Sequence, residues 1–375
     1  MEPVPGTDIS WEIRGDTLYL TGSGDMEFIP KPDSDILDIP WYYLDFIHVD
    51  MQDGITSIGT EAFHTSDLVD VSIPDSVRSI GPLAFCKCQD LKTVHLGKGV
   101  RDIPEYAFTD CLALSEIEIT AGSIGYRAFE NCSALTSVKL NEGLEHIGER
   151  AFAGCSSLTT VTVPSTVTNI EGNPFQYCTS MEEITVTEGN RDYCSQDGAL
   201  FDIDMKRLLS APGKVRPGIL GQVLGIGDYA FAGSSLKSIA ILDNILTLGV
   251  GAFSGCTALV TVGMGKIGTI PGEAFLGCTS LQNVDLGSCR EIGPGAFSGC
   301  IFLEKIELPD TMESVGPDAF RRTGLTEISI PESLLEIGSG AFYDCEKLRK
   351  AILPFPLGDE DEYFPSDTEI EYLEQ

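Results

Sequence analysis

An Ala-Phe pair that returns every 21 to 23 residues limits this chain to one kind of architecture. It stands at Phe63, Phe85, Phe108, Phe129, Phe152, Phe231, Phe253, Phe275, Phe297, Phe320 and Phe342, and Pro174-Phe175 belongs to the same series. One interval, Phe175 to Phe231, is 56 residues long. A fixed period of this size means stacked coils that share a continuous core. Length alone would allow two or three separate globules, and the repeat overrides that reading.

Each coil divides into three parts. The first has the form Leu-x-x-Val-x-Ile, as in Leu158 to Val163. Its alternation predicts a strand with Val and Ile inward and the residue between them outward. A second short segment, Val-x-x-Ile-Gly, follows, as in Leu144/Ile147/Gly148. Its glycine implies positive φ or a close backbone approach. The Ala-Phe pair is then expected in a short helical or 3₁₀ turn, with Phe at the centre of the coil. Strands stacked at about 4.8 Å would make twelve coils a rod of roughly 60 Å.

Nine of the twelve cysteines sit three residues after a repeat phenylalanine: Cys88, Cys111, Cys132, Cys155, Cys178, Cys256, Cys278, Cys300 and Cys345. Ser66, Ser234 and Thr323 take that place in coils whose next apolar anchor comes one residue earlier. One cysteine per coil at one address reads as a buried ladder of small side chains with weak S–H donors. It argues against a disulfide framework, and no ligand spacing points to a metal. Cys86, Cys194 and Cys289 fall outside the ladder and are expected to be the exposed thiols.

The ends and the long interval depart from the repeat. Residues 1–54 read as an N-terminal cap in which Ile9 to Ile13 and Thr17 to Leu20 form a β-hairpin around Gly15. The turn spells Arg14-Gly15-Asp16, an integrin-type tripeptide that is more simply a glycine turn. Repeats are expected over 55–186 and 223–354. Between them, residues 187–222 read as a second hairpin projecting from the array, with a return through Pro212, Gly213, Pro217 and Gly218. Residues 355–375 read as an acidic C-terminal cap. It holds Asp359-Glu360-Asp361-Glu362 and a last strand over Glu369 to Leu373.

Fifty-seven acidic against 24 basic residues give a net charge of −33, which repels nucleic acid and anionic lipid. No apolar run is long enough to span a bilayer. The start, Met1-Glu2-Pro3-Val4-Pro5-Gly6, shows no basic-then-apolar leader.

The pattern Ile-Gly-x-x-Ala-Phe-x-x-Cys-x-x-Leu-x-x-Val-x-Ile-Pro, close to Ile147 to Pro164 here, resembles the BspA-type, or Treponema pallidum-type, leucine-rich repeat family. The resemblance covers about residues 55–354. It implies a β-rich, right-handed leucine-rich-repeat solenoid of about twelve coils. It also implies a surface or secreted protein, in some members an adhesin for host matrix or other cell-surface proteins. The expected function is therefore a non-enzymatic protein-recognition scaffold without cofactor or metal. The alternatives are a polysaccharide-active enzyme on a β-solenoid and a purely structural surface spacer.

Partners of such a scaffold would meet the outward strand positions. These are small and polar in mid-array and charged toward the ends, with no aromatic for sugar stacking. The densest mixed cluster, Asp285, Lys305, Glu307 and Glu327, is the candidate contact patch. Glu116 with Glu118, or Asp285 with Glu307, could be named as acid and base. Neither pair is joined by a nucleophile motif or phosphate loop, and His48, His64, His95 and His146 are scattered.

Overall fold

The computed structural model describes residues 1–28, 37–214, 218–356 and 360–373. Pro217 and Asp359 lie outside the described residues, as does the side chain of Asp361. The fold is a β-solenoid of about fourteen turns, divided into two compact units, Met1–Gly198 and Ala199–Gln375.

A column of rings runs through each unit. In the first, Trp41, Phe63, Phe85, Phe108, Phe129, Phe152 and Phe175 stack in order, with centroids 5.1 to 6.1 Å apart. In the second, Phe231, Phe253, Phe275, Phe297, Phe320, Phe342 and Phe364 stack at 5.0 to 5.3 Å. Phe85 and Phe108 are within 1° of parallel. The two rings beyond the expected twelve are Trp41 and Phe364. Both belong to segments that read as caps, because neither follows an alanine.

The face strands alternate as the sequence requires. In Thr160–Val163, Val161 and Val163 are buried while Thr160 and Thr162 are exposed. Neighbouring strands pair in parallel. Glu116–Ile119 matches Ser137–Leu140, and Thr160–Val163 matches Glu183–Val186, each over four residues. The ladder parts between Ser137–Leu140 and Thr160–Val163, which belong to different sheets. In the second unit Ser238–Ala240, Thr261–Gly263 and Asn283–Asp285 form one sheet. Glu327–Ser329, Lys350–Leu353 and Glu369–Tyr372 form another.

Gly148 settles what the Ile-Gly glycine does. A Cβ there would lie 2.7 Å from the carbonyl carbon of Gly125 in the preceding coil. Close approach, not positive φ, excludes a side chain.

The helical turn expected after Ala-Phe does not form; among the described residues the one helix is a 3₁₀ turn at Glu360–Glu362. Most coils instead hold left-handed residues two before and two after the phenylalanine, such as Tyr106 (φ 57°) and Asp110 (φ 59°) around Phe108. Left-handed residues break a helix. Backbone bonds then alternate. Cys111 N–H returns to Phe108 O within the coil at 3.3 Å, and Phe108 N–H crosses to Ala128 O in the next coil at 2.7 Å. The turn is thus a ladder in its own right.

The cysteine column stitches these turns together. Each ladder thiol donates to the carbonyl of the phenylalanine one coil back, as Cys132 Sγ–H to Phe108 O at 3.2 Å and Cys278 Sγ–H to Phe253 O at 3.1 Å. Burial pushes the Cys178 and Cys300 thiols up to about 12, so they are neutral and inert at ordinary pH. Of the three thiols expected to be exposed, Cys86 and Cys289 are buried and Cys194 is half-buried. Cys289 fills the Val position of Val-x-x-Ile-Gly, a core address, and Cys86 follows Phe85 directly into the turn.

The second hairpin, Ala199–Asp202 with Arg207–Ser210, does not project. Ala199, Leu200, Phe201 and Leu208 are fully buried. Arg207–Ser210 pairs in parallel with Gly225–Ile226, which pairs with Thr247–Leu248. At the N-terminus, Ile9–Arg14 and Thr17–Gly22 form the expected hairpin, and Thr17–Gly22 runs parallel to His48–Met51.

Candidate recognition surface

The four patch residues are all exposed on the strand face of the second unit. The structure places them around a coil that leaves the sheet. Residues 303–308 form no strand, although Asn283–Asp285 precedes them and Glu327–Ser329 follows. Thr326 N–H reaches Glu304 O at 3.2 Å. Beyond it, Lys305, Ile306, Glu307 and Leu308 neither give nor take a backbone hydrogen bond among the described residues.

The opening is confined to the face. Phe275, Phe297 and Phe320 keep ring spacings of 5.2 and 5.3 Å. The second ladder stays closed, with Glu291–Ile292 paired to Ser314–Val315. Leu303 and Ile306 remain in the core.

Two clefts flank the opened coil. One, of about 590 Å³, is lined by Asn283, Asp285, Lys305, Glu307 and Asp310 among others. The other, of about 350 Å³, is lined by Lys305, Glu307, Asp310, Glu327 and Ser329 among others. Asp285 Oδ1 accepts the Gly287 N–H at 3.0 Å. Lys305, Glu307 and Glu327 make no ion pair among the described residues.

In the first unit, the sequence offers Glu116 and Glu118 only as a possible acid and base, and does not mark the comparable place that the structure opens around them. Thr93–His95 and Glu116–Ile119 meet at one register pair, Glu116 with Thr93. A cleft of about 500 Å³ opens there, lined by His95, Lys98, Glu116, Glu118 and Lys139 among others. The run of charged outward positions was its signal. Two of its charges engage each other, however: Lys139 Nζ lies 2.6 Å from Glu118 Oε1, and Asn141 Nδ2 donates to the same oxygen at 2.8 Å. Lys139 and Asn141 hold the Glu118 carboxyl below its ordinary pKa.

The Arg14-Gly15-Asp16 turn is exposed but held. Arg14 pairs with Glu12 and lies 5.3 Å from the Tyr19 ring centre. Asp16 O accepts from Ile47 N–H at 2.9 Å and His48 N–H at 3.2 Å. Of the scattered histidines, His48 meets Asp70 at 2.8 Å. Among the described residues no helix is long and apolar enough to cross a membrane.

Comparison with known proteins fits this architecture. The chain resembles the solved structure of a leucine-rich repeat protein from Eubacterium ventriosum, with 24% identity, a TM-score of 0.66, and coverage of 91% of this chain and 93% of that one. It also resembles a leucine-rich cell surface protein from Faecalibacterium prausnitzii, with 22% identity, a TM-score of 0.54, and coverage of 100% and 95%. No curated protein matches its sequence. The BspA type leucine rich repeat model matches in six copies over residues 116–196 and 223–363, more than half of the chain. The protein belongs to the BspA-type leucine-rich repeat family.

Proposed function

We propose that this protein is a non-enzymatic recognition scaffold of the bacterial surface that binds a protein partner through the strand face of its second unit. The observation that carries this reading is the set of unpaired charges, Lys305, Glu307 and Glu327, around a coil whose backbone is also unpaired. Family membership and the likeness to a cell-surface leucine-rich protein support the surface placement. The enzyme alternative has little to work with on the face. A general acid needs a raised carboxyl pKa, and Glu118 is held in the opposite direction.

The test is binding to immobilised matrix and cell-surface proteins by the intact chain and by a chain carrying Asp285→Ser, Glu307→Ser and Glu327→Ser. A partner held by the first and released by the second is the expected result. A partner held equally by both refutes the face as the binding surface. Retention of none leaves a structural spacer as the reading.

A further inference from the structure

We infer that the opened coil at residues 303–308 receives an extended, arginine-bearing segment of the partner protein, a reading that rests on the strand-face function proposed above. An ordinary ladder strand has its backbone saturated by its two neighbours. Lys305 to Leu308 has this on neither side, and all four residues line both clefts, which leaves their carbonyls and amides for an incoming group.

The coils are not spread enough to admit a whole strand. A further strand needs about 4.8 Å on each side of itself, and the rings beneath remain at 5.2 and 5.3 Å. A partner segment must therefore lie across the face and send side chains down into the clefts.

Charge selects which side chains. The larger cleft sets Asp285, Glu307 and Asp310 against Lys305, and the smaller sets Glu307, Asp310 and Glu327 against the same lysine. An acidic segment is repelled by this wall. A cation is drawn in, but carbonyls and carboxylates together ask for several donors at fixed directions. Guanidinium has five N–H donors in a planar fork and no acceptor, whereas ammonium is a compact point charge that keeps its water. Arginine fits both kinds of acceptor. Alternate residues of an extended segment point to one side, so every second position would carry the anchor.

The experiment is fluorescence anisotropy with labelled peptides that alternate Thr with Arg, Lys or Glu. The Thr-Arg peptide is expected to bind saturably, the Thr-Lys peptide about tenfold more weakly, and the Thr-Glu peptide not at all. Asp285→Ser with Glu307→Ser should weaken the Thr-Arg peptide about tenfold. Glu183→Ser, on a paired strand of the first unit, should leave it unchanged. Hydrogen exchange gives a second reading: amides of 305–308 should exchange fast in the free protein and slow when the Thr-Arg peptide is bound.

Equal binding of the Arg and Lys peptides would overturn the inference, since simple attraction to an acidic surface would explain it. So would binding that survives the double substitution, or amides of 305–308 that are protected without peptide. If no peptide binds while a partner is still lost in the triple variant, the strand-face function stands and this inference falls. If both fail, both fall.

Discussion

Two stretches of the strand face carry similar charges and use them differently. In the first unit, Glu116–Ile119 and Ser137–Leu140 are paired along their whole length, and Lys139 lies on Glu118. In the second unit, Lys305 and Glu327 hold one outward column on adjacent coils, yet the sheet between them is open and they do not pair. A closed ladder brings opposite charges on neighbouring coils into contact distance. An open one leaves them for something else. Charge composition therefore says little about a solenoid face until the ladder beneath it is known.

The opening coincides with a change in turn length. From Phe297 to Leu303 is six residues, and from Phe320 to Leu325 is five, where Thr323 replaces the ladder cysteine. The other short turns behave differently. Phe63 to Leu68 follows another five-residue step, Trp41 to Phe46, and Phe231 to Leu236 follows the second hairpin. Each also passes into a longer turn with its face pairing intact, as Asp70–Ser72 with Thr93–His95. A long turn followed by a short one leaves residues 305–308 out of step with Glu327–Ser329; toward Asn283–Asp285, where both turns are six residues long, turn length does not explain the parting.

The largest expected effect tests whether the opening stops at the face. Phe129→Ala, beneath the paired strands, and Phe297→Ala, beneath the opened coil, should each destabilise by about 3–5 kcal/mol, because each removes a fully buried ring from a close-packed column. Urea denaturation measures both. A much smaller loss for Phe297 would mean that the coil is loose to its centre, and the face would lose its meaning as a built surface.

Cysteine substitutions ask the same question of the turn. Cys132→Ser and Cys300→Ser should each cost about 1–2 kcal/mol, since each thiol fills a buried pocket and donates to the coil before it. A near-neutral Cys300→Ser beside a costly Cys132→Ser would carry the loosening into the turn ladder. Thiol labelling of the native protein should reach Cys194 first. Cys86 and Cys289 should be slow, because both are buried and burial pushes Cys86 up to about 11.

How far the sequence exposes this difference varies with the physics involved. Ring stacking, strand alternation and the cysteine address are all periodic, so a single chain displays them. Trp41 and Phe364 escaped because they keep the bulk of the repeat but not its alanine. The sequence points to a helical turn because glycine is the usual mark of left-handed backbone. Here Tyr106, Arg127 and Tyr229 adopt it, held by bonds to the next coil. The hairpin at residues 199–210 lacks the repeat motif and so reads as a projection, but its apolar residues supply a coil of a different pattern. The patch Asp285, Lys305, Glu307 and Glu327 is visible as charge, whereas its open backbone depends on the registry of neighbouring coils, of which the sequence shows only the shortened turn at Thr323.

One added residue in the Phe320 turn, placed between Thr323 and Gly324, should bring that coil into step with its predecessor. Residues 305–308 would then join Glu327–Ser329, and those of their amides that point toward that strand would no longer exchange fast. Stability should change little, because the core below is already closed. Amides that stay fast after the insertion would show that turn length is not what parts the strands.

The smallest effect belongs to the paired side. Lys139 and Asn141 favour the ionised form of Glu118 and hold its pKa low. A carboxylate lowered in this way adds stability above its unfolded pKa, near 4.3, and loses that contribution as pH falls through the lower folded value. Because the pair is exposed, salt should screen most of it. Carboxyl NMR titration should place the Glu118 midpoint below the ordinary range. It should return there in a Lys139→Met, Asn141→Ala chain. An unchanged midpoint would mean that the contacts seen across the closed ladder do not persist in solution, and paired and open charges on this face would then be equally free to meet a partner.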